Sequence, residues 1–207
     1  QSKVQASAAD IELTSDKMAI NAALESGSSS SGTVTLKPWN NATAIKLGAV
    51  GDSTGSTLEL SSAELGQATT GILKIGGSVF TGGIQIADNI TMGSAGAVSM
   101  INNGSITATT GKTITTDKLN LHSYNGAVLL GGDAHAVNTV AGKSGTNQTF
   151  SFKAAGALTV GSVDINTGIN DGVNVASGLA SVESAGLLTV AGNVSGGSTG
   201  TVSLTGV

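Results

Sequence analysis

A three-residue phrase, apolar–polar–apolar, recurs along almost the whole chain and narrows its folding options more than any other feature. It reads Val34-Thr35-Leu36, Leu58-Glu59-Leu60, Leu73-Lys74-Ile75, Ile84-Gln85-Ile86, Val98-Ser99-Met100 and Leu119-Asn120-Leu121 in the first two thirds. It continues as Phe150-Ser151-Phe152, Leu158-Thr159-Val160, Val163-Asp164-Ile165, Val173-Asn174-Val175 and Val202-Ser203-Leu204. Gly, Ser, Asn or Thr usually separates one phrase from the next. Alternate residues of a strand point to the same face, so each phrase buries two side chains and holds one outward. No single unit can enclose a core. Units of this kind become stable by stacking, which predicts an all-β solenoid of parallel coils.

Composition agrees. The 207 residues include 31 Gly and 1 Pro, and 39% are hydrophobic against only 2% aromatic. A narrow interior suits stacked Val, Ile, Leu and Ala, with little room for rings that each bury about 150–250 Å². Low charge with much glycine can signal disorder, but here the apolar residues are periodic rather than diluted. No linker divides the chain. It reads as one segment over 1–207, with 1–31 a less regular first coil or cap and 32–207 the repeated coils.

Several local signals mark corners. Two or three phrases per coil predict a repeat of roughly 20–30 residues. Gly76-Gly77, Gly82-Gly83, Gly131-Gly132 and Gly196-Gly197 suit corners that need positive φ. Asn102-Asn103-Gly104 and Tyr124-Asn125-Gly126 are further turn signals. Ser61 and Glu64 are spaced as a capping box and predict one helical turn over Ser61–Leu65. Between Ser15 and Leu24, with Gly27 as stop, a short helix competes with strands at Ile11-Glu12-Leu13 and Met18-Ala19-Ile20. The strand-like flanks favour the strands. The last residues, Thr201 to Val207, read as another coil rather than a cap, so the chain is expected to be a segment of something longer.

The net charge is −4, all nine basic residues are Lys, and they are scattered from Lys3 to Lys153. Nucleic-acid binders cluster basic residues and add stacking aromatics, so nucleic acid is not an expected partner. No apolar run approaches the roughly 20 residues of a membrane-spanning helix. The absence of cysteine removes disulfides and thiolate chemistry. No secretory signal stands at Gln1, so any export signal is expected to be removed already or to lie elsewhere.

Candidates for chemistry are few. His122 and His135 are the only histidines, and Asp133 lies two residues from His135. A metal site needs three or four converging ligands, and these three do not supply them; both histidines read as exposed loop residues. There is no Gly-x-Ser-x-Gly elbow, Walker loop or dinucleotide fingerprint. Asp88, Asp164 and Asp171 do not recur with a calcium-binding period. The expectation is therefore no catalytic residue, no cofactor-binding residue, no metal and no cofactor. Pairs such as Thr33/Thr35, Thr107/Thr109 and Thr113/Thr115 raise ice binding but do not repeat coil after coil. Asn41, Asn89, Asn103, Asn147 and Asn193 begin glycosylation acceptor sequences. Trp39 and Tyr124 are expected to pack at an end or a corner. The rival from another class is a carbohydrate-active or sugar-binding β-helix, whose hydrolysis would need paired carboxylates about 5–10 Å apart. Stacked coils could bring Glu59 beside an acid one coil away.

The succession Gly32-Thr33-Val34-Thr35-Leu36, Ala44-Ile45-Lys46-Leu47-Gly48, Leu58 to Leu65 and Gly71-Ile72-Leu73-Lys74-Ile75-Gly76 carries a family resemblance. So do Gly156-Ala157-Leu158-Thr159-Val160-Gly161-Ser162-Val163 and Leu187-Leu188-Thr189-Val190-Ala191-Gly192-Asn193-Val194. Together they resemble the repeat region of filamentous-haemagglutinin-like large exoproteins of Gram-negative bacteria. The resemblance implies a right-handed parallel β-helix, two-partner or related export, a place at the cell surface, and roles in adhesion, aggregation or biofilm. The family's amino-terminal secretion motif with its Asn-Pro pair is not found; the single proline is Pro38. On this resemblance the chain is expected to be a non-enzymatic structural shaft of a surface adhesin or filament. Head-to-tail stacking is a variant, and the receptor is undefined.

Overall fold

The computed structural model describes residues 3–7, 9–27, 32–49, 56–164 and 169–207. The strands are β1 (Lys3–Ala6), β2 (Ile11–Thr14), β3 (Ala23–Ser26), β4 (Thr33–Lys37), β5 (Ala44–Leu47) and β6 (Thr57–Leu60). Helix α1 (Ser62–Leu65) follows, then β7 (Ala68–Gly76), β8 (Ile84–Ile86), β9 (Ile90–Thr91), β10 (Ala95–Asn102), β11 (Ile106–Ala108) and β12 (Ile114–Ser123). The remainder are β13 (Val128–Ser144), β14 (Phe150–Ala154), β15 (Leu158–Val160), β16 (Ser162–Asp164), β17 (Ile169–Asp171) and β18 (Val173–Val175). The last four are β19 (Leu179–Ser184), β20 (Leu188–Val190), β21 (Val194–Ser195) and β22 (Thr201–Thr205).

The chain is an all-β parallel β-helix. One face stacks β2, β4, β7, β10, β12, β13, β18 and β21, each parallel to the next. A second stacks β6, β5, β8, β11, β13, β14, β19 and β22 in the same way. Eight levels at about 4.8 Å give a column roughly 35 Å long. Leu73, Val98, Leu119 and Val140 form one inward file at intervals of 25, 21 and 21 residues, within the expected coil length. Ile45, Ile84, Ile106 and Val128 form a file on the second face. All eight are buried in one continuous apolar cluster.

Each recurring phrase falls on a strand, but Val163-Asp164-Ile165 is not part of a coil. Its first two residues lie in β16, which pairs with β17 as an antiparallel hairpin; Ile165 is outside the described residues. The hairpin leaves the coil after Val160 and Gly161 and returns at Gly172 and Val173. Its neck is closed by the Gly172 amide donating to the Gly161 carbonyl at 3.0 Å. It folds back over the outer surface of the first face, where Val163 packs with Ala97 and Ala141. Asn170 Nδ2 donates to Asn120 Oδ1 at 2.5 Å, and Asn120 Nδ2 donates to Ser99 Oγ at 2.8 Å. Ser99 and Asn120 do point outward, yet both are fully buried because the hairpin covers them.

The interior also departs from expectation. Phe150 and Phe152 are fully enclosed. Room for Phe150 comes from Gly142 on the opposite face, where an added Cβ would sit 2.5 Å from the ring edge. A thin core admits a ring where a facing residue gives up its side chain. The N-terminal coils are out of sequence order as well: β6 pairs on the far side of β5 from β8, so a later segment completes an earlier turn. This detour places Leu73 39 residues after its neighbour Val34.

Helix α1 forms the single expected turn, with Ser61 and Glu64 in a capping box. Residues 15–22 form neither the helix nor the strand at Met18-Ala19-Ile20; their place is fixed by Ile20, buried in the core, whose amide donates to Glu64 Oε1 at 3.0 Å. Gly76, Gly83 and Gly197 take positive φ as expected, whereas Gly131 and Gly132 lie inside β13 where its register against β14 shifts. Asparagines of successive corners stack, with Asn125 Nδ2 donating to Asn103 Oδ1 at 2.6 Å.

The two ends differ. At the N-terminal end Ile11, Ile20, Leu58 and Leu60 are buried, while Val4, level with Leu24, is 49% exposed. At the C-terminal end Val190, Val202 and Leu204 stack on Val160, Ala180 and Val182 but remain 48%, 43% and 39% exposed. The last strands are another coil, not a cap.

Candidate functional site

His135 is not an exposed loop residue. It sits in β13, fully buried, where the register shift leaves backbone groups without strand partners. Its Nδ1 accepts from the Ile114 amide at 3.1 Å, which leaves Nε2–H to donate to the Leu130 carbonyl at 3.1 Å. The ring lies 5.4 Å from that of Phe152. Asp133 does not join it; its carboxylate accepts from the Gly111 amide at 2.7 Å. His135 is therefore a structural bridge between coils, doing with an imidazole what the ladder does with peptide groups.

His122 lies in β12 on the outward side of the first face, half-buried. Its ring stacks on Tyr124 with centroids 4.2 Å apart and planes 21° from parallel. The side chain is in register with Lys143 on the next coil, Lys143 with Asn174, and Asn174 with Ser195. This outward file lines an open groove of about 570 Å³, together with Tyr124 and Ser144. Tyr124 packs at a corner as expected and is 46% exposed. Trp39 does not pack at an end or corner and is 77% exposed.

Both imidazoles are shifted below their ordinary range. Burial lowers His122 to about 4, helped by the Lys143 cation. Burial also lowers His135, against the opposing effects of the Leu130 hydrogen bond and Asp133. A group protonated more readily unfolded than folded drains stability as pH falls. Stability is therefore expected to hold above about pH 6.5 and to decline between there and about pH 4. Denaturant midpoints measured from pH 8 to pH 4 test this. His122→Gln should flatten part of the decline, and an unchanged profile would refute the contribution of His122.

Among the described residues no three His, Cys, Asp or Glu side chains converge as a metal cluster. Glu59 is level with Lys46, not with a second carboxylate. No described helix is long and apolar enough to cross a membrane. Thr139, Thr159 and Thr189 form an outward threonine file that spacing had hidden, because the hairpin interrupts its period. No family model, curated protein or solved structure matches the chain.

Proposed function

We propose that the chain is a non-enzymatic structural shaft from an exported bacterial surface adhesin or filament. The observation that carries this is the column: two faces of eight parallel strands around one apolar interior. Each coil is held by backbone ladders to the coils on either side, so pulling or proteolysis must break a whole ladder rather than one contact. The outward residues are mostly short and polar, and the cross-coil ion pairs Lys3–Glu25, Lys37–Glu12, Lys112–Asp88 and Lys153–Glu183 lie at the surface. Pairs so placed add little stability, typically under about 1 kcal/mol each. The resemblance of the phrase order to filamentous-haemagglutinin-like repeats supports an extracellular setting.

The ends weigh unequally on head-to-tail stacking. The C-terminal coil offers Val190, Val202 and Leu204 as exposed core-file residues, and the N-terminal end offers Val4. We adopt the shaft reading without head-to-tail stacking. Incubation with a panel of polysaccharides, alongside sedimentation over a wide concentration range, is the test. A monomeric chain without turnover is expected. Turnover abolished by changing one carboxylate would replace the shaft with the carbohydrate-active reading.

A further inference from the structure

We propose that the groove beside His122 and Tyr124 binds an acidic pyranoside, such as a uronic acid unit of a glycan. The aromatic pair supplies a platform. His122 backs Tyr124 at 4.2 Å, and the tyrosine stays 46% exposed, so ring surface is available to the apolar face of a sugar. A backed ring is already ordered, which removes part of the entropy cost of binding.

Hydrogen-bonding groups continue from the platform along the rod. Lys143, Asn174 and Ser195 stand level on three successive coils. Asn174 uses its Nδ2 on the Asp171 carbonyl at 3.0 Å, which leaves Oδ1 to accept. The Ser195 hydroxyl oxygen accepts from the Gly197 amide at 3.1 Å, which leaves its proton to donate.

Charge selects the class of sugar. Among the described residues that line the groove, Lys143 is the cation and none is Asp or Glu. The carboxylate of nearby Asp171 is engaged by the Ser162 hydroxyl at 2.8 Å. The groove lining therefore offers a ligand carboxylate the Lys143 cation. This site is independent of the shaft reading, which stands whether or not the groove is filled.

The test is a titration of the intact chain with sodium glucuronate and, separately, glucose. It is followed by the His122 ring proton resonances and by saturation transfer to the sugar. Saturable shifts with glucuronate are expected, with glucose at least about tenfold weaker. Tyr124→Ala should weaken glucuronate about tenfold. Lys143→Met should bring glucuronate down to the level of glucose and leave glucose unchanged. Absence of saturable shifts with either sugar, or glucuronate binding that survives both substitutions, would overturn the site. Equal affinity for the two sugars would overturn the assignment to an acidic ligand.

Discussion

Phe150→Ala is expected to lower stability by about 3–5 kcal/mol, a large share of what a domain of this kind possesses. The ring is fully buried and lies across the interior from Gly142, so its removal opens a void that neighbouring ladders cannot close. Gly142→Ala alone should cost about 1–3 kcal/mol, because the new methyl meets the ring edge and the Leu121 carbonyl. The two positions share one space, so their effects should not add. In the Phe150→Ala background the glycine substitution should cost at least about 0.5 kcal/mol less, the signature of coupled neighbours. Denaturant midpoints of the four proteins measure this directly. Strict additivity would show that Gly142 is required by its own backbone surroundings rather than by the ring.

That pair also shows where local pattern stops informing. Alternation identified which residues face inward, and Phe150 and Phe152 were correctly placed on a strand. It did not reveal that a residue on another face makes room for one of them, since position 142 gains its meaning only from the coil that encloses it. The order of coils is hidden for the same reason. Leu58-Glu59-Leu60 is an ordinary phrase, and nothing local shows that it pairs behind β5 instead of ahead of it. Low aromatic content argued for a thin interior, which is right, but not for an interior without rings.

The groove was less legible still. His122, Lys143, Asn174 and Ser195 are separated by 21, 31 and 21 residues. The middle interval is stretched by the ten residues of the hairpin, so no constant period connects the file. Burial of His135 was hidden too, because a histidine after Gly131-Gly132-Asp133 has the wording of a turn. The structure places it where a register shift strips the backbone of partners, and such a shift is a property of two strands together.

Removal of the hairpin provides the second large effect, with an upper bound set by geometry. Val160 is level with Val140 and Val173 with Gly142, so a single residue suffices between them. Deleting residues 162–172 while keeping Gly161 should therefore leave the coil closed. The loss should be roughly 2–4 kcal/mol: the burial of Val163 plus one or two hydrogen bonds around Asn120. Val163→Asp puts a carboxylate into the apolar contact with Ala97 and Ala141. The hairpin can escape that penalty by undocking, so the cost of Val163→Asp cannot exceed the docking energy by much. The two variants should then have matching denaturant midpoints, and both should keep the far-ultraviolet spectrum of the parent. A Val163→Asp protein far less stable than the deletion would mean that the coils need the docked hairpin in order to form. The strap would then be part of the fold's foundation and not an addition to a self-sufficient column.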